Sequence, residues 1–292
     1  MLAGLLGLFA DQDIEEILVN GTRTVQVIRT NASSFELPSP TNSDVTLIEA
    51  IQNFAHSNGM RLDPRHPSTG GNLLASQIRW HAMIPPASRS GAILSLRRHR
   101  LDSIDITNFA GISPHIKTIL EWGRSGPGPI LISGPTGSGK TSLLCSILTK
   151  IARNERLCIL EDVPEIPALS PLWITGGATE DDYDGHGFYS IDQAFADCLR
   201  LRPHRFVVGE IRNREIGAFL GACQAGHAPT ICTLHAGTPI GAISRLRGFA
   251  KNAGYQLSTI LSDIPVLVIQ LIRTNSNAPM IGAVAIIDSA AL

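Results

Sequence analysis

Residues 134–141 read Gly-Pro-Thr-Gly-Ser-Gly-Lys-Thr and fit the G-x-x-x-x-G-K-[ST] pattern at every constrained position. The chemistry open to such a stretch is phosphate binding. Its glycines let the backbone wrap an anion, so that loop amides and the N-terminus of a following helix face phosphate oxygens. The candidate cradle comprises Gly134, Pro135, Thr136, Gly137, Ser138 and Gly139, with Ser142 opening the helix. Lys140 would bridge the β- and γ-phosphates of a nucleotide, and the Thr141 hydroxyl would hold Mg²⁺. An ordinary glycine-rich turn is the plainer reading of eight residues, and the surroundings decide against it. Pro129-Ile130-Leu131-Ile132 reads as a short buried strand, and Ser142 to Leu148 has the apolar spacing of a helix. Strand, loop and helix are what the motif requires, so the sequence predicts a nucleotide site.

Phosphoryl transfer asks a protein for positioning and charge neutralisation more than for covalent chemistry. It needs acids for metal and water, and cations for developing negative charge. Three later apolar runs end in suitable groups: Leu157 to Leu160 in Glu161-Asp162, Phe206 to Gly209 in Glu210, and Thr230 to Leu234 in His235. A carboxylate at Glu210 can hold a metal-bound water or polarise the attacking one. Glu161 and Glu165 compete with it for the role of base. His235 can sense a γ-phosphate by hydrogen bond. Alone, each acid would read as a solvated strand end or cap, and His227 or His235 as a satisfied core histidine. Their recurrence at one sheet edge favours chemistry. Arg97-Arg98-His99-Arg100 is the only dense basic cluster. Without interleaved aromatics it gives little support to nucleic-acid binding and reads as a solvated strand end.

A chain of 292 residues, 43% hydrophobic and 17% charged, is long enough for two domains and reads as folded and globular. Its formal net charge of −1 supplies no global pull toward nucleic acid or anionic membrane. Five cysteines, scattered and without C-x-x-C spacing, predict neither a zinc site nor a disulfide and suit a reducing cytosol. Met1 to Ala10 is apolar but far short of a membrane span, and it lacks a basic leader region. It reads as a buried or capping helix end, with contact to a membrane or partner as the alternative. Asp13 to Val27 reads as a helix end and then a hairpin turning at Asn20-Gly21, with a strand over Thr24 to Ile28. Asn31 to Asn42 reads as loop. Asp44 to Ala55 reads as a helix with Val45, Ile48, Ile51, Gln52 and Ala55 on its apolar face. Met60 to Arg98 reads as β, and Leu101 to Asn108 as a linker. Helices then follow over Ile116 to Trp122, Ser190 to Leu199 and Arg214 to Ala225, a surface loop over Gly176 to Phe188, and late strands over Pro265 to Ile272 and Ile281 to Ile287. Strands alternating with helices, with polar residues at the strands' C-terminal ends, describe a wound α/β sheet.

The sequence resembles the type II/type IV secretion and conjugation ATPases, or traffic ATPases. Gly134 to Thr141 matches their Walker A. Leu160-Glu161-Asp162-Val163-Pro164-Glu165-Ile166 looks like their Asp box, and Leu199 to Arg212 like the arginine-rich lead into their Walker B. Gly226-His227 and Thr233-Leu234-His235-Ala236 resemble their His box. Glu16 to Gly21, Ile84-Pro85-Pro86 and Leu96-Arg97-Arg98 look like their N-terminal domain. The resemblance implies a RecA-like P-loop ATPase domain (103–292) preceded by a smaller α+β domain (1–102), and ATP with Mg²⁺ as ligands. It implies a homohexameric cytoplasmic motor at the inner-membrane face of a secretion or conjugation complex, most like the type IV or conjugal-transfer branch. By resemblance Arg97 and Arg79 close over the nucleotide phosphates, and Arg200 and Arg202 reach a neighbouring subunit's site. The sequence departs from the family in having His204 where Asp is common, and Gln77-Ile78 where Gly-Ser usually precedes the arginine matched by Arg79. Two alternatives stand beside this reading. A nucleic-acid translocase would need a basic, aromatic-bearing pore loop, which is not evident. A nucleotide-binding scaffold with little turnover would not need Lys140, Glu161 and Glu210 together.

Overall fold

The computed structural model describes residues 1–30, 33–73, 78–98, 105–162, 164–177, 189–227, 229–273 and 279–288. Much of the expected linker and of the Gly-rich loop, together with Gln77, lies outside these residues. The chain divides into two compact units, one over Met1–Arg100 and one over Leu101–Ala178 with Tyr189–Leu292.

The first unit begins with helix α1 (Leu2–Gly7) and strands β1 (Ile14–Asn20), β2 (Thr24–Arg29) and β3 (Ser34–Pro38). Helix α2 (Asp44–Ser57) and strands β4 (Ser68–Leu73), β5 (Ile78–Met83) and β6 (Ile93–Arg98) complete it. The strands form one antiparallel sheet in the order β3-β2-β1-β6-β5-β4. Alternate residues of β1, β2, β5 and β6, among them Val19, Val27, Trp80 and Leu96, are buried with Leu47, Ile51 and Ala55 of α2. Leu2, Leu5 and Phe9 enter the same core, so the apolar N-terminus is packed inside its own unit.

Four expectations need correction here. The supposed helix end after Asp13 is strand β1. A bulge between Ile14 and Glu16 shifts its phase, so that Ile14, Ile17 and Val19 are all buried and a strand shows the three-residue spacing of a helix. The hairpin turn has three residues, because Asn20 pairs with Thr24. β3 lies within the predicted loop; it is a largely exposed edge strand whose Phe35 and Leu37 alternate with polar residues over only five positions. Val45 points away from the core of α2 at 65% exposure.

In the second unit helix α3 (Ile116–Ser125) leads to strand β7 (Ile130–Gly134), helix α4 (Lys140–Ile151), and strands β8 (Leu157–Glu161) and β9 (Trp173–Gly177). Helix α5 (Ile191–Leu199), strand β10 (Arg205–Val208), helix α6 (Ile216–Gln224) and strand β11 (Ile231–His235) follow. Helices α7 (Pro239–Asn252) and α8 (Leu257–Ile260) precede strands β12 (Val266–Arg273) and β13 (Pro279–Ile287). The sheet order is β13-β12-β7-β11-β10-β8-β9, parallel except for the β12–β13 hairpin at one edge. β9 occupies the start of the stretch read as a surface loop. α7 was not anticipated, although its start is marked: Thr238 caps the amide of Gly241 and Pro239 opens the helix. The five cysteines are free and buried.

The β7–β12 pairing that seats the phosphate loop depends on a close approach at Gly128. A Cβ there would lie 1.9 Å from Pro265 O and 2.8 Å from Ile264 Cγ2. Gly128→Ala is expected to lower stability by roughly 2–4 kcal/mol through forced displacement of these backbones. Denaturant unfolding checks this, and an unchanged midpoint would contradict it.

Candidate nucleotide site

Four adjacent parallel strands, β7, β11, β10 and β8, bring their C-terminal ends to one edge. The apolar runs therefore end side by side in Gly134, His235, Gly209-Glu210 and Glu161. The phosphate loop turns from β7 into α4. Gly137 (φ +69°) and Gly139 (φ +87°) adopt the left-handed backbone that glycine alone takes without strain. A Cβ at Gly134 would come within 2.6 Å of Ser138 Oγ and 2.9 Å of Leu271 O. No side chain caps the N-terminus of α4, and Ser138 Oγ is buried without a hydrogen-bond partner. Uncapped helix amides and a polar atom inside the loop suit a phosphate.

Lys140 is buried, and its ammonium makes three short contacts: Nζ donates to Pro135 O at 3.0 Å and Gly134 O at 3.3 Å, and faces His235 Nδ1 at 3.0 Å. Burial lowers its pKa to about 8, against the opposing pull of Glu210 and Glu165. With Lys140 donating to Nδ1, His235 Nε2 carries the ring proton toward Glu210 Oε1, 2.8 Å away. Burial and the neighbouring Lys140 lower the His235 pKa, in keeping with a neutral ring. The other Glu210 oxygen accepts two bonds from Arg212, at 2.7 Å from Nη2 and 3.1 Å from Nε.

Glu161 has different surroundings. It is buried, and its carboxylate accepts the amides of Glu165 and Ile166 at 3.1–3.2 Å, pinning the turn after β8. It also packs on Gly209, where a Cβ would stand 2.6 Å from Glu161 Cγ. Burial raises its pKa to about 8. Thr141 Oγ1 donates to Glu165 Oε2 at 3.5 Å, so the two expected metal residues, Thr141 and Glu210, have separate partners. A cavity lined by Asp162, Glu165, Glu210, Arg212 and Glu215 lies here. Its carboxylates and the nearby Thr141 hydroxyl are hard oxygen groups of the kind Mg²⁺ takes alongside several waters, and among the described residues no three of His, Cys, Asp or Glu are grouped so as to hold a metal by themselves. Glu215 accepts the amides of Arg212 and Asn213. Desolvation and the Glu215 carboxylate raise the Asp162 pKa.

The remaining predicted residues divide. Arg79 and Arg97 stand directly opposite each other on β5 and β6, on one face of the first unit's sheet. Arg97 also lies 3.5 Å from Glu15. Arg98 instead bonds the Phe9, Asp11 and Ile14 carbonyls, fixing the start of β1. Arg200, 78% exposed and paired with Asp197, and Arg202 precede β10, at the strand ends opposite the phosphate loop. Within this chain they do not join the cluster. His227, half-buried, packs edge-on against Phe206 and takes no part in the cluster. His204, the departure from the family pattern, accepts the Arg156 amide at 2.9 Å and ties β8 to β10. Sequence reasoning gave no role to Arg212, Glu215 or Gln270. The signal for Gln270 was a lone amide inside the apolar run Pro265 to Ile272.

Glu161 gives the site a defined pH signature. Below about pH 4.5 the folded and unfolded states both hold its proton. Between 4.5 and about 8 only the folded state does, so stability falls as pH rises and the loss is complete above 8. Glu161→Gln cannot titrate and retains an oxygen acceptor. Its Tm relative to wild type is expected to rise between pH 5 and pH 8, by the equivalent of a few kcal/mol. A pH-independent difference would contradict the buried assignment.

The family described as Type II/IV secretion system protein matches residues 73–284. A Mycobacterium tuberculosis protein named for conjugal transfer is 30% identical over 225 residues, spanning 74% of this chain and 64% of its own. The chain thus matches less than two thirds of that relative. Conjugal transfer protein TrbB of Rhizobium radiobacter is 29% identical over 77% of this chain and 69% of its own. Among solved structures, the Legionella pneumophila ATPase DotB aligns with a TM-score of 0.67 at 17% identity, over 96% of this chain and 78% of that one. The pilus retraction motor PilT, solved with ADP, aligns at 0.66 and 19% identity, over 97% and 82%. At these identities the structures share the fold, an N-terminal domain followed by a RecA-like domain. With its phosphate loop, acidic strand ends and histidine strand inside the matched region, the chain belongs to the type II/IV secretion system protein family.

Proposed function

We propose that this chain is an ATP-hydrolysing motor subunit of a type IV secretion or conjugal-transfer machine. The observation that carries the reading is the contact chain from the phosphate loop through Lys140, His235 and Glu210 to Arg212. It crosses three strand ends and joins a cation, a hydrogen-bonding ring and a carboxylate beside the phosphate loop, which supports their acting on a γ-phosphate and its attacking water.

All three ammonium protons of Lys140 have acceptors within the fold. Capture of β- and γ-phosphates therefore proceeds by exchange, with at least one loop carbonyl or His235 giving up its donor. His235 then feels the exchange directly and passes it to Glu210. We assign Glu210 as the group that orients water and Glu161 as the group that holds the Asp-box turn. Mg²⁺, held by Thr141 and Glu210 with Glu165 beside Thr141, would neutralise charge on the β- and γ-phosphates. In the first unit Arg79 and Arg97 form a paired cationic face suited to phosphate oxygens. The proposal includes a domain boundary near residue 102, a homohexamer in which Arg200 and Arg202 serve a neighbouring site, and peripheral attachment to inner-membrane secretion proteins from the cytoplasm. Among the described residues no helix is long and apolar enough to cross a membrane.

The test is Mg²⁺-dependent ATP turnover by the purified chain. Lys140→Ala is expected to abolish turnover while leaving the unfolding transition in place. Wild-type turnover in that variant would sink the reading.

Glu210→Gln is expected to bind nucleotide yet hydrolyse it roughly 10²-fold more slowly. If Glu161→Gln is the more damaging change, the two assignments exchange places.

A further inference from the structure

Gln270 is 3% exposed, in a strand whose neighbours Val266 to Leu271 are otherwise apolar. Its amide reaches across three strands. Oε1 accepts from Ser133 Oγ at 2.5 Å on β7, its register partner, and Nε2 donates to Ala236 O at 3.1 Å beyond β11 and to Leu271 O at 3.0 Å. Both amide protons and the oxygen are engaged. The cross-strand partners flank the functional residues: Ser133 immediately precedes Gly134, and Ala236 immediately follows His235.

An apolar side chain would fill this place in the core without desolvating an amide, so packing alone does not call for glutamine. What the amide adds is a fixed geometry between two backbone points. One is Gly134, whose carbonyl accepts from Lys140, and the other is His235, whose Nδ1 faces the same ammonium. Ladder bonds of β7 with β11 set the register, His235 against Gly134. They do not set the path of the chain beyond the last paired residue, which Ala236 begins. The Gln270–Ala236 bond does.

We propose that Gln270 is a positioning residue that holds the end of β11 against the phosphate loop, so that His235 meets Lys140. The proposal rests on the ATPase reading. Its experiment compares wild type with Gln270→Met, which keeps volume and removes the amide, and with Ser133→Ala, which removes only the hydroxyl that orients it. In the full-length chain kcat and KM for MgATP are measured, and the His235 imidazole is followed by ¹⁵N NMR at one pH. Both variants are expected to lose on the order of 10-fold or more in kcat, with KM within about 2-fold, and to shift the His235 Nδ1 resonance away from wild type. A loss of kcat with the His235 signal unmoved would make Gln270 a general packing residue and overturn the proposal. A shifted ring with unchanged kcat would overturn it equally. Should Gln270→Met fail to fold, Ser133→Ala decides by the same criteria. Absence of turnover in wild type would instead fail the ATPase reading, and the inference with it.

Discussion

An ammonium group has three protons to donate, and a buried one must place all of them. Lys140 places them on Gly134 O, Pro135 O and His235 Nδ1, so its position is fixed by two carbonyls of its own loop and one ring from the next strand. Much of the site's geometry follows from that. The ring must be neutral with its proton on Nε2, which turns that proton toward Glu210. Glu210, receiving His235 on one oxygen, has the other available to Arg212. Each link depends on the strand order, because only adjacent parallel strands end close enough to let side chains of this length meet.

The same edge shows how environment separates carboxylates of one chemical type. Glu161 lies under Gly209 and over its own turn, away from water and bonded to neutral amides, and its pKa rises. Glu210, a few ångströms along the sheet edge, has Arg212 and His235 against it. A carboxylate that keeps its proton and bonds backbone amides is a structural anchor. One bonded to cationic and imidazole side chains can change partners when phosphate arrives. That contrast, rather than position in a motif, supports giving the two acids different roles.

Much of the second unit was legible because its strands are buried on both faces and read as unbroken apolar runs, each ending abruptly in a polar group. The phosphate loop was legible because its glycines answer a backbone demand. Where sequence reading failed, local pattern and tertiary role had separated. A bulge gave β1 a helical spacing, β3 is an exposed edge whose Phe35-x-Leu37 alternation is short and set among Ser, Asn and Pro, and α7 carried its signals in Thr238-Pro239 rather than in a strong apolar stripe. Gln270 acts through side-chain bonds to other strands, which linear spacing does not encode, and Arg212 bonds Glu210, two residues before it, without any motif to mark the pair. Arg200 and Arg202 were assigned by resemblance alone, and within one chain the fold sets them at the opposite end of the sheet.

Both units carry charge arrangements that folding alone would not select. Arg79 and Arg97 oppose each other across an antiparallel pair, with Glu15 beside Arg97. Around the acidic cavity Glu161 and Asp162 are pushed toward protonation, while Lys140 is pushed toward losing its proton. Each departure has the sign that a bound polyphosphate would correct in the cations, and that a bound hard cation would correct in the carboxylates. Structural ion-pair networks perturb pKa values too, but they do so by pairing opposite charges. Here burial is the first cause of each shift, so these groups are held away from water before any ligand is bound. The stability lost to that desolvation is the reserve from which a charged ligand can draw binding free energy.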